Sequence, residues 1–140
     1  MSLPVGNVLI VEDDRGIREI LSTLLRSEGF HVVVAEDGLE GLHVLRTVRH
    51  RAPDVPCLVL LDLAMPRLGG PAFRLAQLGD PRVANVPVAV MSGAVDLEER
   101  AIEMGAVAIV AKPINFDVLL DIVQRHCSVT GMRYGCRPMA

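Results

Sequence analysis

Acidic residues come directly after two of the aliphatic stretches in this 140-residue chain. Glu12 and Asp13 follow NVLIV, and Asp62 follows CLVLL, while Ser92 and Lys112 come after two further aliphatic stretches. Carboxylates that lie together repel and raise each other's pKa, so a cation is expected among them. Oxygen ligands favour a hard cation such as Mg²⁺. A carboxylate beside a metal, a lysine and a hydroxyl suits transfer of a phosphoryl group onto that carboxylate.

Five aliphatic stretches alternate with segments of helical periodicity. The first helical segment has apolar residues at i, i+3, i+4, i+7 and i+8, with Asp14 as the predicted N-cap and Gly29 as the C-terminal stop. Asp96 is the predicted N-cap of the fourth helix, and Glu99 three residues on completes a capping box. The predicted strands cover residues 7–11, 31–35, 57–61, 88–91 and 107–110.

The five predicted strands are continuous apolar runs rather than alternating apolar and polar residues. Such runs indicate burial on both faces, and therefore a parallel sheet between two layers of helices. Ligands of an open parallel α/β sheet bind outside the carboxyl ends of its strands. The acids, Ser92 and Lys112 are therefore expected to meet at one edge of the sheet.

Composition excludes several classes of protein. Hydrophobic residues make up 51% of the chain and the net charge is -3, so no basic field for direct nucleic-acid binding is present. No apolar run approaches the roughly 20 residues that cross a bilayer, so membrane insertion is not expected. The N-terminal residues do not resemble a signal peptide, which favours a cytoplasmic protein.

Three cysteines, Cys57, Cys127 and Cys136, occur in the chain. Their number is odd and no CxxC pair is present, so neither a disulfide framework nor a zinc site is predicted. Cys57 opens an aliphatic run and is interpreted as a small buried residue.

Four fragments together resemble the receiver domain of bacterial two-component response regulators, including the chemotaxis regulators. Each fragment alone is weak evidence, but their order and their positions at successive strand ends match jointly over about residues 7–127. The fragments are VLIVEDD (8–14), LLDLAMPRLGG (60–70), VAVMSG (88–93) and AKP (111–113). The resemblance implies a flavodoxin-like (βα)5 three-layer sandwich with a five-stranded parallel sheet of order 2-1-3-4-5. It divides the chain into a receiver domain over residues 1–127 and a flexible C-terminal tail over 128–140.

The resemblance also implies the phosphoacceptor and its metal ligands. Asp62 would accept the phosphoryl group and would also bind Mg²⁺. Asp13 would bind the ion directly and Glu12 through water, and the backbone carbonyl of Ala64 would complete the protein's ligands. Asp14 is interpreted as the helix cap and not as a metal ligand.

The switch residues follow from the same resemblance. Ser92 and Lys112 would each contact a phosphoryl oxygen after phosphorylation, and the Lys112–Pro113 peptide bond would be cis. Receivers commonly carry Tyr or Phe three residues before this lysine, whereas this chain has Ile109. Our hypothesis is that the phosphorylation signal passes through residues 93–95 and the fourth helix instead of through an aromatic ring.

The predicted function is a phosphoacceptor in a two-component system or phosphorelay, and not a metabolic enzyme. Its chemistry would be Mg²⁺-dependent self-phosphorylation and autodephosphorylation, with a sensor histidine kinase or a histidine phosphotransfer protein as donor. The alternative is a degenerate receiver that binds a protein partner independently of phosphorylation. A third reading, an α/β enzyme, lacks GxGxxG and GxxxxGK[ST] motifs. The sequence leaves open the kinase, the stimulus, the output, the oligomeric state, and whether the chain stands alone or belongs to a hybrid kinase or larger regulator.

Overall fold

The computed structural model describes residues 6–47, 55–65 and 67–127. Within these ranges five strands alternate with five helices. The strands are β1 (Asn7–Val11), β2 (His31–Ala35), β3 (Leu58–Asp62), β4 (Val88–Ser92) and β5 (Ala108–Ala111). The helices are α1 (Arg15–Ser27), α2 (Gly38–Thr47), α3 (Gly70–Leu78), α4 (Leu97–Glu103) and α5 (Phe116–Cys127). The predicted strands agree with these bounds to within one residue at each end, and the predicted tail over 128–140 lies outside the described residues.

The strands form one parallel sheet of order β2-β1-β3-β4-β5, as the family resemblance implied. Alternate residues of β3 enter different cores: Val59 and Leu61 pack under α2, α3 and α4, whereas Leu58 and Leu60 pack under α1 and α5. The helices therefore form two layers with the sheet between them. The predicted three-layer (βα)5 sandwich is confirmed.

The two edge strands are less buried than continuous apolar runs predicted. Every residue of β3 and β4 is buried, but Val33 and Val34 of β2 are exposed by 40% and 36%, and Ile109 of β5 by 41%. Each edge strand pairs on one side only, so its side chains are covered by fewer neighbours. The expectation of burial on both faces is therefore correct for the central strands and wrong for the edges.

Helix capping agrees with the sequence at α1 and differs at α4. Asp14 Oδ1 accepts a hydrogen bond of 3.0 Å from the Ile17 amide, and Gly29, just after α1, has φ +97°. The predicted cap by Asp96 is wrong, because its side chain makes no capping hydrogen bond. Asp96 has φ -99° and ψ 21° rather than the extended backbone that turns a capping side chain back onto the helix.

A disulfide joins Cys57, just before β3, to Cys127, the last residue of α5. Their Cα atoms are 5.3 Å apart, although 70 residues separate them in sequence. The expectation that the cysteines form no disulfide is therefore wrong for this pair. That expectation was based only on the odd number of cysteines and on their spacing in sequence. Disulfide pairing depends instead on where the fold brings two cysteines together.

Among the described residues, no helix is long and apolar enough to span a membrane.

Candidate functional site

The carboxyl ends of four neighbouring strands hold the polar residues singled out in the sequence. Just beyond β1, β3 and β5, the backbone amides of Glu12, Leu63 and Lys112 donate to carbonyls of neighbouring strands at 3.0, 3.1 and 3.0 Å. These bonds extend the sheet by one residue past the strand ends. The side chains of Glu12, Asp62 and Lys112 are therefore positioned by the sheet itself and not by mobile loops.

Three carboxylates lie together at this edge. Glu12, Asp13 and Asp62 each offer an oxygen, and these three oxygens lie within 4.8 Å of one another. Glu12 is fully buried and Asp62 is 4% exposed, whereas Asp13 faces solvent. The cluster, called the pocket below, thus consists of two buried acids and one acid that is open to solvent.

Lys112 contacts both buried acids and is the sole lysine of the chain. Its Nζ lies 2.8 Å from Glu12 Oε1 and 3.4 Å from Asp62 Oδ1. Apart from this ion pair with Lys112, Glu12 Oε1 has no hydrogen-bond partner within the described ranges. A buried carboxylate oxygen that is balanced only by a neighbouring ammonium group can also serve a cation, directly or through water.

The ionisation of Asp62 and Lys112 reflects this surrounding charge. Burial and the nearby Glu12 raise the pKa of Asp62 to about 7, with a further rise from Asp13 and an opposing effect of Lys112. Burial lowers the pKa of Lys112, but Glu12 and Asp62 outweigh it, so the pKa lies above its usual value. In the metal-free protein near neutral pH, Lys112 is therefore charged, while Asp62 is divided between its two forms.

The remaining predicted residues lie at the same end of the sheet. The Ala64 amide lies 3.4 Å from Asp62 Oδ1, and Ala64 itself is exposed. Ser92 is buried, and its hydroxyl accepts a hydrogen bond of 2.9 Å from the Ala94 amide. The peptide bond between Lys112 and Pro113 is cis.

Comparison with known proteins gives the family. The family model described as the response regulator receiver domain matches residues 8–124. This chain belongs to that family. Receiver domains accept a phosphoryl group and are not themselves metabolic catalysts.

Individual relatives agree with this assignment. The receiver is 31% identical over 123 residues to sporulation initiation phosphotransferase F of Bacillus subtilis, which covers 85% of this chain and 91% of that protein. It is 37% identical over 123 residues to the response regulator protein FleR of Pseudomonas aeruginosa, which covers 86% of this chain but 24% of FleR. The chain thus spans about a quarter of the length of FleR and of several other curated relatives.

A solved structure with a similar fold is the signal receiver domain of a signal transduction histidine kinase from Syntrophus aciditrophicus. The sequences are 27% identical and the TM-score is 0.77, with 96% of this chain and 98% of that chain covered.

Arg18 of this receiver also belongs to the pocket, although the sequence did not single it out. Its guanidinium donates to the Glu12 carbonyl at 2.8 Å and approaches the Asp13 carbonyl at 3.4 Å, so it holds the turn that carries both acids. Cations near a helix N-terminus oppose the helix dipole. An arginine one turn into α1 was therefore a usable signal for a specific contact.

A second contact that was not predicted from the sequence is an ion pair that joins two loops of the receiver. Arg67 has φ +66°, which is uncommon for a residue other than glycine. Its Nε donates to Asp37 Oδ2 at 2.7 Å, and Asp37 Oδ1 accepts from the Glu40 amide at 2.9 Å. The loop that follows Asp62 is thereby fastened to the start of α2.

We expect Asp37→Asn to lower the free energy of unfolding at neutral pH, and the loss to shrink as the pH falls. The Glu40 amide and Arg67 outweigh the effect of burial and hold the pKa of Asp37 below its usual 3.8. Its stabilising contribution is therefore complete above pH 3.8 and is lost as the pH falls through the lower pKa of the folded protein. Asparagine keeps the capping oxygen but lacks the charge.

Urea unfolding of both proteins between pH 7 and pH 3 measures this effect. The same substitution in an Arg67→Gln background is the control, because the ion pair is already absent there. A difference between wild type and Asp37→Asn that is independent of pH would contradict the prediction.

Proposed function

We propose that this receiver takes a phosphoryl group from a phosphohistidine onto Asp62, in a two-component system or phosphorelay. The observation that carries the proposal is the contact of one ammonium group, Lys112, with the two buried carboxylates of Glu12 and Asp62. A receiver used only as a binding surface has no need for this costly group of buried charges. The proposed role further implies a cytoplasmic protein.

Mg²⁺ is the cation that we propose for the pocket. When all three carboxylates are ionised, they leave two negative charges against one ammonium, and apart from the Lys112 ion pair Glu12 Oε1 lacks a hydrogen-bond partner among the described residues. Both features suit a hard divalent ion. Asp13, Asp62 and the Ala64 carbonyl would bind it directly and Glu12 through water, and when bound it would neutralise charge on the transferring group.

The Asp62 carboxylate is the proposed nucleophile. One of its oxygens forms a bond to phosphorus while the phosphorus–nitrogen bond of the donor breaks, and the donor's imidazole leaves with the bonding electron pair. The Lys112 ammonium lies 3.4 Å from Asp62 Oδ1, close enough to neutralise charge that develops on the phosphoryl oxygens. It also opposes the rise in the pKa of Asp62, so more of the reactive carboxylate is present.

Ser92 is the proposed group that senses the phosphoryl group. Its hydroxyl accepts from the Ala94 amide and retains its own proton for donation to a phosphoryl oxygen. A movement of the hydroxyl toward Asp62 would pull on the backbone after β4. Residues 93–95 and then α4 are the segments that would respond.

We expect Ser92→Ala to abolish the change in α4 that follows phosphorylation, and Ile109→Tyr to preserve it. Ile109 is 41% exposed on the edge strand and has no polar group to contact the phosphoryl group. Amide chemical shifts of residues 93–103, before and after addition of a beryllofluoride phosphoryl mimic, report the change. The opposite pattern, with the signal lost in Ile109→Tyr and intact in Ser92→Ala, would contradict this route.

We further propose that the phosphohistidine donor docks on the groove between α1 and the segment after β5. This apolar groove of about 300 Å³ is lined by residues that include Ile17, Ile20, Lys112 and Phe116. Lys112 lines the groove and also contacts Asp62, so a donor protein seated there would present its histidine to the acceptor. Ile20 is 61% exposed and provides apolar contact area for the donor.

Ile20→Glu should slow phosphorylation by the cognate donor about tenfold or more, because a charge then enters an apolar contact. Phosphorylation by acetyl phosphate should be unchanged, because this small molecule does not need the groove. Val118→Glu on α5 is the matched control, since Val118 is 50% exposed and is not among the groove residues. Equal slowing with both donors would show that Ile20 affects the pocket and not docking.

The experiment that tests the proposed function is the intact mass of the protein after incubation with acetyl phosphate, with and without Mg²⁺. We expect one added phosphate that requires Mg²⁺. Borohydride reduction of an aspartyl phosphate gives homoserine, so peptide mapping should place homoserine at position 62. No adduct with any donor, together with no binding of Mg²⁺, would overturn the proposal in favour of the degenerate module.

A further inference from the structure

The disulfide lies at the amino-terminal end of the parallel strands, whereas the phosphoacceptor pocket lies at their carboxyl end. Cys57 directly precedes β3 and Asp62 ends it, so the length of the strand, roughly 16 Å, separates the two. The bond joins the start of β3 to the C-terminal end of α5. It therefore belongs to a part of the molecule that the proposed phosphoryl chemistry does not use.

The bond is the last anchor of α5 on the sheet. Leu119 and Val123 are fully buried and Cys127 is 4% exposed, and these three residues form a single stripe at i, i+4 and i+8. Beyond the disulfide, the final turn is held by the Gly6 amide, which donates to the Cys127 carbonyl at 3.2 Å. Opening of the disulfide would leave α5 with two fully buried anchors and a weakly fastened end.

The two cysteines of the disulfide differ in their exposure to solvent. Cys57 is half-buried, whereas Cys127 is buried. Cys57 Sγ also lies 3.1 Å from the Asn7 carbonyl oxygen, so a reduced Cys57 would have an acceptor for its thiol proton. Both the bonded and the reduced form are thus compatible with the surroundings of Cys57, and we expect an external reagent to react first at this more exposed residue.

We propose that Cys57 and Cys127 form a reversible redox lock that fastens the C-terminal end of α5. In a cytoplasmic protein, which is part of the proposed function, such a bond is opened and re-formed and is not permanent. On opening, the thiolate of a small thiol such as glutathione attacks Cys57 Sγ, and Cys127 leaves as a thiolate that takes up a proton. The thiolate of a second glutathione then attacks the glutathione sulfur of this mixed disulfide. Cys57 leaves as a thiolate that takes up a proton, and the two glutathione molecules depart joined as oxidised glutathione.

Closure is the reverse sequence with the same balance of atoms and electrons. The Cys57 thiolate attacks oxidised glutathione, which forms a mixed disulfide and releases one glutathione. The Cys127 thiolate then attacks Cys57 Sγ and releases the second glutathione. Cys57 is the attacking residue and Cys127 the resolving residue.

The test uses a Cys136→Ser protein equilibrated with reduced and oxidised glutathione, because this background leaves only the two paired cysteines. Free thiols are counted by alkylation and intact mass after denaturation, and thermal unfolding is followed in parallel. We expect two thiols in the reduced form, none in the oxidised form, and a melting temperature about 10 °C higher when oxidised. In the Cys57→Ala and Cys127→Ala variants, the melting temperature should not depend on the redox state.

Trapping of the mixed disulfide with glutathione distinguishes the attacking residue, Cys57, from the resolving residue, Cys127. With oxidised glutathione, Cys127→Ser should accumulate a mixed disulfide on Cys57, whereas Cys57→Ser should form one on Cys127 about tenfold more slowly. Phosphate uptake from acetyl phosphate should be the same in both redox states, so failure of the lock and failure of the proposed function are separately visible. Two free thiols after oxidation, bonds only between molecules, or faster reaction at Cys127 would overturn the proposal.

Discussion

Asp62→Asn is expected to take up no phosphate from acetyl phosphate or from any phosphohistidine donor. The carboxamide has no charged oxygen to attack phosphorus, and it removes one of the three carboxylates of the pocket. Phosphate uptake should therefore fall to the detection limit rather than decrease by a measurable factor. Intact mass in the presence of Mg²⁺ provides the measurement, with wild type followed in parallel.

Asp14→Asn is the matched control for this substitution. Asp14 lies two residues after Glu12, but its carboxylate caps α1 through the Ile17 amide, and asparagine can make the same cap. We expect this variant to accept phosphate at the rate of wild type. Phosphate on Asp62→Asn at another acid of the pocket, such as Asp13, would show that the acceptor has been assigned to the wrong residue.

Lys112→Met should reduce the rate of phosphate uptake by about 10²–10³. Loss of the ammonium removes a charge that lies 3.4 Å from Asp62 Oδ1 and 2.8 Å from Glu12 Oε1. It should also raise the pKa of Asp62 above the value of about 7 that it has beside Lys112. Less of the reactive carboxylate is then present at neutral pH, in addition to the lost stabilisation of charge.

Uptake kinetics with acetyl phosphate and carbon NMR of the Asp62 carboxyl measure the two effects. Arg125→Met is the control, because it removes a positive charge from an exposed ion pair with Asp121 on α5. A rate in Lys112→Met that equals the rate of this control would show that the lysine serves the fold and not the transfer.

The single lysine gives a direct spectroscopic reading of the pocket. Protein labelled with carbon-13 at the lysine ε position should show one signal, because Lys112 is the sole lysine. The titration midpoint of this signal should lie above the usual value, since Glu12 and Asp62 raise the pKa of Lys112. Saturation with Mg²⁺ should shift the same signal.

The sequence by itself determined the secondary structure and the edge at which the chemistry lies. Short aliphatic runs of four or five residues and amphipathic periods are local patterns, so the strands could be predicted to within one residue. The convergence of Glu12, Asp62 and Lys112 followed from the parallel direction of the strands, because residues after successive strands then meet at one edge. The order of the strands came from the family resemblance.

Contacts between distant segments were decided only by the tertiary structure. Arg67 and Asp37 are 30 residues apart, and Arg67 has a left-handed backbone that no local pattern indicates. Arg74 is 9% exposed in α3 and donates to the Met104 carbonyl at 2.8 Å, although a charged residue on a helix is ordinarily predicted to face solvent.

The disulfide shows most clearly why contacts between distant segments could not be predicted from local sequence patterns. Cys57 and Cys127 are 70 residues apart, and neither has a neighbouring cysteine in sequence that would mark it as a partner. Their Cα atoms are 5.3 Å apart because α5 packs back across the sheet and ends beside the start of β3. Local propensity sets the length of each element, but the meeting of two element ends depends on the packing of the whole domain. The sequence therefore indicated the phosphoacceptor pocket, whereas the disulfide lock at the amino-terminal end of the strands became visible only in the folded chain.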